Sequence, residues 1–210
     1  MQNRVSLSAT RDRWVWIGSK DNSFSVAQLK DMFRKDRDTR RNQLMKWENW
    51  VPAKINLFIW RAEMGRILTR GALARRQVKL DNVLCALCET ADEDHNHVLI
   101  GCGFAFGVWD AIGKWCKVDL IFAFDLLDVL LLHKHFDGNK WAKKIIRGIV
   151  MISCWAIWKE RNKKIFEGHI PRVTEVVACI KTVSFLWLKC RSRFKSLDWK
   201  DWRVNPLYMM

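Results

Sequence analysis

The chain has 210 residues, half of them apolar, with 13 Trp and 11 Phe, a composition that excludes a disordered protein and provides a core for one large or two small domains. Its formal net charge of +15 indicates a polyanionic partner. The odd number of cysteines, 7, and the lack of a signal peptide indicate a reducing compartment. We therefore expect an intracellular protein, nuclear or cytoplasmic and not secreted.

The charge is distributed unevenly along the chain. Residues 1–46 contain 11 Lys and Arg against 5 Asp and Glu, residues 47–138 contain 10 against 12, and residues 139–210 contain 16 against 5. Two basic ends therefore flank a near-neutral middle. We favour non-specific binding of RNA or DNA over the alternative, an ordinary solvated basic face. No small-molecule substrate is indicated.

Residues 1–40 predict a short β-hairpin followed by a helix. Residues 13–17 alternate around Trp14 and Trp16, residues 18–23 supply turn residues, and residues 24–26 resume the strand. Ser25, with Gln three residues later, predicts a capping box at the start of the helix.

Residues 41–118 predict helices around a metal-binding loop. Ile55, Phe58, Ile59 and Ala62 recur at helical spacing, and Pro52 can open that helix over 54–66. Thr69 predicts the cap of a second, short helix, and residues 104–115 predict a third.

Cysteine and histidine spacing between those helices predicts a structural zinc site. Cys85 and Cys88 are separated by two residues, and Cys102 follows His97 after four. Three thiolates and one imidazole complete a closed tetrahedral Zn²⁺ shell, whereas a catalytic zinc would keep one position open for water. His95 is the alternative fourth ligand; the spacing to Cys102 favours His97. The competing interpretation is a set of ordinary buried thiols.

Residues 119–210 predict a basic helical region. Helices are expected over 120–135, over 141–166 with Asn139 as the cap, and from Thr174 onward. The 120–132 stretch contains Asp125 and Asp128, so it predicts a core helix and no membrane span. The predicted nucleic-acid contacts are all Lys or Arg beside the metal loop or near the ends of the 141–166 helix: Arg70, Arg75, Arg76, Lys143, Lys144, Lys159, Arg161, Lys163 and Lys164.

The order of these features resembles a known family. The sequence reads D-R-W-V-W and F-S-V, then W-x-x-W-V-P-x-K-x-x-x-F-I-W-R-A, then R-I-L-T-R-x-x-L-x-x-R, then C-x-x-C followed by H-V-L-I-G-C and V-W. This order is similar to the zinc-binding domain of reverse transcriptases in plant LINE-type (non-LTR) retrotransposons. The resemblance implies zinc on the four predicted ligands. It also implies a framework of Trp47, Trp50, Phe58, Trp60, Arg61 and Trp109.

Catalytic residues are not evident in the sequence. A polymerase needs paired carboxylates on two Mg²⁺ ions, usually in a Y-x-D-D hairpin, and the single tyrosine, Tyr208, precedes no such pair. Asp125 and Asp128 are better explained as solvated helix residues. A nucleophile pair of Cys116 and His133 stays open as an alternative to buried packing, the role also expected of Cys154, Cys179 and Cys190. We therefore expect a binding protein, not an enzyme.

These observations predict a mainly α protein, a helical domain with a short N-terminal β-hairpin and a small CCHC zinc-binding loop. Three parts are expected: 1–40, the hairpin and helix; 41–118, the zinc-binding domain; and 119–210, the basic helical region. The predicted function is a zinc-binding, nucleic-acid-binding module that lacks the polymerase site. The alternatives are a zinc-stabilised scaffold that binds an acidic protein or a polymerase domain, and a decayed fragment without activity.

Overall fold

The computed structural model describes residues 25–26, 46–118 and 123–208. The chain divides into two compact units, Met1–Leu44 and Met45–Met210, and all helices given below belong to the second. These helices are α1 Ala53–Glu63, α2 Arg70–Ala74, α3 Gly103–Cys116, α4 Leu126–His135, α5 Lys140–Glu167, α6 Val173–Arg191 and α7 Trp199–Val204. A π-helical turn, His97–Gly101, directly precedes α3.

The predicted N-terminal hairpin is not supported. Apart from Ser25 and Val26 it lies outside the described residues, and Val26 is helical rather than extended. Val26 directly follows Ser25, which is where the first helix was predicted to start. The rest of that predicted helix lies outside the described residues. Among the residues that the structure describes, β pairing is limited to one isolated antiparallel bridge, Leu84–Asp92, so the second unit is helical.

Helix α5 is the centre of the second unit, and α1, α4 and α6 all pack against it. Asn139 begins the helix by accepting hydrogen bonds from the backbone amides of Trp141 and Ala142, both at 2.9 Å, as the sequence predicts. The middle of α5 is buried all round because residues from 148 to 154 are apolar or small. Gly168 ends the helix at φ 67°, a left-handed conformation that glycine adopts without strain. Both predicted segments, 41–118 and 119–210, contribute side chains to this core.

Helix α1 is locked onto α5 through the segment that precedes it. Trp50 packs so closely on Gly148 that a Cβ at that glycine would lie 2.0 Å from the Trp50 ring. Asn56 accepts a hydrogen bond from the backbone amide of Glu48 at 2.9 Å and donates to the carbonyl oxygen of Val51 at 2.9 Å. The backbone ahead of α1 is therefore fixed by contacts on both sides.

Two C-terminal predictions need correction. Helix α4 begins at Leu126 instead of residue 120, because Asp125 and Asp128 form a reciprocal capping box: the Asp125 carboxylate accepts from the Asp128 amide at 3.0 Å. The two aspartates are therefore cap residues. Helix α6 ends at Arg191, and α7 is a separate short helix whose buried Trp202 packs edge-on against Trp115. No helix in the described part of the chain combines the length and apolarity that a bilayer crossing requires.

Candidate metal centre and basic surfaces

The four predicted metal ligands converge at one point. The sulfur atoms of Cys85, Cys88 and Cys102 and a ring nitrogen of His97 all lie within 4.8 Å of one another. Cys85 and Cys88 come from the turn closed by the Leu84–Asp92 bridge, His97 begins the π-helical turn, and Cys102 is the N-cap residue of α3. The structure brings His97 to the sulfurs, whereas the ring of His95 lies against Gly65.

The dimensions of this cluster fit a tetrahedral zinc ion. Zn–S bonds of about 2.3 Å place two sulfur ligands about 3.8 Å apart in a tetrahedron. The sulfurs of Cys85 and Cys102 are 3.9 Å apart. Nε2 of His97 lies 3.2 Å from the sulfur of Cys88, which is short of the tetrahedral separation by only a few tenths of an ångström. Soft sulfur donors with one imidazole favour zinc over magnesium or calcium. A bound ion would join the turn, the π-helical turn and the start of α3 through its four ligand bonds.

Backbone amides surround the sulfurs and favour their thiolate forms. The amides of Leu87 and Cys88 donate to the Cys85 sulfur, and those of Phe104 and Ala105, at the start of α3, donate to the Cys102 sulfur. The hydrogen bond from Cys85 lowers the pKa of the Cys102 thiol, whereas the same bond and burial raise the pKa of Cys85. The backbone amides at both sulfurs favour the thiolate forms that bind a metal cation.

A buried ion pair fastens the metal loop to α5. Glu93 is fully buried and accepts hydrogen bonds from Arg161 at 2.5 and 3.2 Å, from the Arg70 amide at 2.7 Å and from the Ala86 amide at 3.0 Å. Ala86 lies between the first two cysteines, so the carboxylate shapes the turn that presents them. Burial alone would raise the pKa of Glu93, but the hydrogen bonds and charge of Arg161 and the two amides lower it. Glu93 was not predicted as a site residue, because a glutamate among neighbouring acidic residues gives no sequence signal of burial.

The predicted nucleic-acid contacts fall into separate groups. Lys143 and Lys144 lie at the N-terminal end of α5, and Lys159, Lys163 and Lys164 lie at its other end. Lys159 lies sixteen positions after Lys143, which is about 24 Å along a helix that rises 1.5 Å per residue. Lys164 reaches the metal loop, where its Nζ lies 2.6 Å from Glu89.

The remaining predicted contacts differ in accessibility. Arg75 and Arg76, next to α2, are exposed. Arg70 is half-buried and donates to Asn82 and to the carbonyl oxygen of Leu84, both at 2.9 Å. Arg161 is 3% exposed and is committed to Glu93, so we leave it out of any surface that binds a ligand.

The framework implied by the resemblance is only partly internal. Trp50 and Trp109 are buried, and the Trp109 ring nitrogen donates to the Leu99 carbonyl oxygen at 2.8 Å. Trp47 and Trp60, by contrast, are 57% and 38% exposed. Phe58 is half-buried and Arg61 is exposed.

The four cysteines outside the cluster differ in their surroundings. Cys116 and Cys154 are buried, and burial raises the pKa of both thiols. Cys179 and Cys190 are exposed, so the packing role expected for them is wrong. Within 46–118 and 123–208, Cys116 makes no hydrogen bond with His133, whose ring lies 2.8 Å from the Leu130 carbonyl oxygen.

Comparison with known proteins agrees with the cluster. Residues 24–109 match the family described as zinc-binding in reverse transcriptase. The Arabidopsis thaliana protein named "Putative ribonuclease H protein At1g65750" is 30% identical over 204 residues, which is 95% of this chain and 29% of that protein. The chain thus spans less than a third of the length of this relative. No solved structure matches the chain.

The matched segment contains all four clustered ligands, and the likeness to the Arabidopsis protein continues beyond it. The Cys₃His cluster thus fits a zinc-binding module of retrotransposon origin. The cluster therefore lies in the segment, residues 24–109, that matches the family of zinc-binding domains of reverse transcriptases.

Proposed function

We propose that the chain is a zinc-stabilised module that binds nucleic acid without sequence preference and has no polymerase activity of its own. The observation that carries this proposal is the surplus of unneutralised cations on its surface. Among the described residues, five of the predicted contacts form no ion pair with a carboxylate: Arg75, Arg76, Lys143, Lys144 and Lys159. Lys144 and Lys159 lie over the rings of Trp141 and Trp155, contacts that leave their positive charge in place. Cations without a salt bridge to a carboxylate are available to neutralise phosphates and release their counterions.

The proposed role of the metal is structural. Three sulfurs and one imidazole leave a tetrahedral ion without an open position for water or substrate. The ion would hold the loop that carries Glu89, and Glu89 holds Lys164. Metal binding would in this way order part of the basic surface.

Two measurements test the proposal. Binding of a fluorescein-labelled single-stranded oligonucleotide to the zinc-loaded chain is measured by fluorescence anisotropy. The salt concentration is raised about sixfold, from about 50 to about 300 mM, so that the salt dependence of the affinity is resolved. With four phosphate contacts, the logarithm of the association constant should fall with a slope of about −3 against the logarithm of salt. Affinity that does not change with salt would remove the proposal.

Cobalt substitution tests the metal centre separately. Co²⁺ bound by thiolates should give charge-transfer absorption, and Cys85→Ser, Cys102→Ser and His97→Ala should weaken it. Cys154→Ser and His95→Ala are matched controls, because neither side chain belongs to the cluster. Equal loss in His95→Ala and His97→Ala would contradict the assignment of the fourth ligand.

A protein-interaction scaffold is the second candidate, and an apolar groove between α1 and α5 favours it. The groove has a volume of about 550 Å³ and its lining includes Leu57, Leu68 and Phe166, which are 46%, 41% and 77% exposed. Lys54 and Arg61 lie beside these side chains and would suit an acidic partner. Crosslinking that recovers protein but no nucleic acid, and that is lost in Leu57→Glu, would support this function over the first.

A further inference from the structure

A basic cleft opens at the N-terminal end of α5, away from the metal loop. Its volume is about 500 Å³, and it is formed by the segment before α1, by α4 and by the first two turns of α5. We call it the Trp47 cleft and define it by six residues: Lys46, Trp47, Lys140, Lys143, Lys144 and Arg147. Five of these six side chains are cationic. The lining includes one carboxylate, Glu48, which is 6% exposed.

The lysines of the cleft lie at the end of α5 where the helix dipole disfavours positive charge. Lys140, Lys143 and Lys144 lie within the first five residues of α5, where the aligned peptide dipoles place partial positive charge. Cations at this end repel the dipole and one another, so an anion in the cleft would be attracted by both. The Glu48 carboxylate attracts Lys144 and Arg147, and Lys144 also lies over the Trp141 ring, but among the described residues no salt bridge to a carboxylate is found for Lys140, Lys143 or Lys144.

Trp47 gives the cleft an aromatic surface. At 57% exposure it is the most exposed tryptophan in the part of the chain that the structure describes. Large aromatic side chains normally bury most of their area, so an exposed one among lysines needs a reason. Aromatic faces among cations are the arrangement that binds single-stranded nucleic acid, because bases stack on the ring while phosphates contact the cations.

The backbone holds Trp47 in place without covering it. On one side Arg147 donates a hydrogen bond to the carbonyl oxygen of Lys46, and on the other Asn56 binds both backbone groups of Glu48. Trp50, three residues further, is anchored on Gly148. The ring is thus presented by a fixed backbone, which lowers the entropy that a stacked base would otherwise have to overcome.

We propose that the Trp47 cleft binds a segment of single-stranded polynucleotide, with one base stacked on Trp47 and the adjacent phosphates contacting Lys140, Lys143 and Lys144. This inference rests on the proposed nucleic-acid-binding function and gives it a location and a strand preference. A base inside a duplex cannot stack on Trp47, since both of its faces are covered by neighbouring bases.

The test uses the full zinc-loaded chain and four labelled probes: a single-stranded RNA of about 12 nucleotides, a DNA strand of the same sequence, the corresponding duplex, and inorganic polyphosphate. The oligonucleotide length falls within the roughly 4–16 nucleotides that one such groove typically covers. Trp47→Ala should weaken both single strands by about 5- to 150-fold, the range that corresponds to one stacked base. Binding of polyphosphate should be unchanged, because it has no base to stack. The ratio of RNA to DNA affinity identifies the natural strand.

Further variants keep the outcome independent of folding defects. Trp47→Phe retains a ring and should bind within about threefold of the native chain, since stacking tolerates any aromatic face. The pair Lys140→Gln and Lys143→Gln should reduce the salt slope by about 1.4, which is 0.7 for each lost phosphate contact. Lys114→Gln is the matched control, because Lys114 lies on α3 and pairs with Asp110.

The results separate this inference from the proposed function. One outcome is that the native chain binds the probes with the expected salt dependence while Trp47→Ala and the double lysine variant leave this binding unchanged. In that case the assignment of the binding site to the Trp47 cleft is wrong and the proposed function stands. Equal weakening of polyphosphate and oligonucleotide by Trp47→Ala would overturn the stacking. Duplex bound as tightly as single strands would also overturn the inference. A native chain that binds no probe overturns both.

Discussion

Replacing Arg161 with Met would break the ion pair that joins the metal loop to α5. The side chains of Arg161 and Glu93 are 4% and 0% exposed. Met retains much of the aliphatic stem but donates no hydrogen bond, so Glu93 would keep only the amides of Arg70 and Ala86 as donors. Removing one partner of a buried ion pair costs about 3–5 kcal/mol, because the other charge stays buried without its counter-charge. We expect a loss in this range.

Urea unfolding of the zinc-loaded chain at pH 7, followed by circular dichroism, measures this loss. The double variant Glu93→Gln with Arg161→Met should lose less free energy of unfolding than the two single variants together. Each single substitution leaves one charge buried without its partner, whereas the double variant has neither charge. Lys114→Met, which breaks an exposed pair with Asp110, is the control and should change the free energy of unfolding by no more than about 0.5 kcal/mol. A loss below about 1 kcal/mol for Arg161→Met, or additive single effects, would refute the reasoning.

Three further predictions follow from described contacts. The pKa of Glu93 is lowered in the folded chain, so its contribution is complete above the ordinary glutamate value of about 4.3 and is lost as the pH falls through the folded-state value. The difference in the free energy of unfolding between the native chain and Arg161→Met should therefore shrink in acid. Acid also displaces zinc from both chains, so this difference is measured and not the stability of either chain alone. Gly148→Ala would place a Cβ 2.0 Å from the Trp50 ring, and this overpacking should cost about 2–3 kcal/mol in urea unfolding, whereas Gly103→Ala, which meets no atom within 4 Å, should cost nothing. Asn139→Ala removes a cap that accepts two amides and should lower the free energy of unfolding by about 1 kcal/mol, with an unchanged denaturant slope.

Local patterns predicted the parts of the fold that depend on neighbouring residues. The cap at Thr69 accepts the Ala72 amide at 3.2 Å as expected, and α5 lies within one residue of its predicted bounds at both ends. The cluster of three cysteines and His97 could be predicted because short spacing leaves few ways for these side chains to meet. The start of α4 was misplaced because apolar periodicity cannot show where a carboxylate will accept an amide hydrogen bond.

Long-range features could not be predicted in this way. The partner of Glu93 lies 68 residues away, and no local pattern links the two. Arg161 was predicted as a phosphate contact because it belongs to a basic run, and sequence gives no indication of which member of such a run turns inward. Trp47 was placed in the framework because the resemblance to the family implied it, and a resemblance in sequence does not show which tryptophans are buried.

The ion pair between Glu93 and Arg161 also bears on where this chain can be cut. The family match ends at residue 109, ahead of α5. A polypeptide trimmed to that boundary would contain every sulfur and imidazole of the cluster but would leave Glu93 without its guanidinium and Trp50 without Gly148 beneath it. Such a fragment would hold metal on a loosely ordered loop instead of in a rigid body. The span that matches the family is therefore shorter than the span that folds.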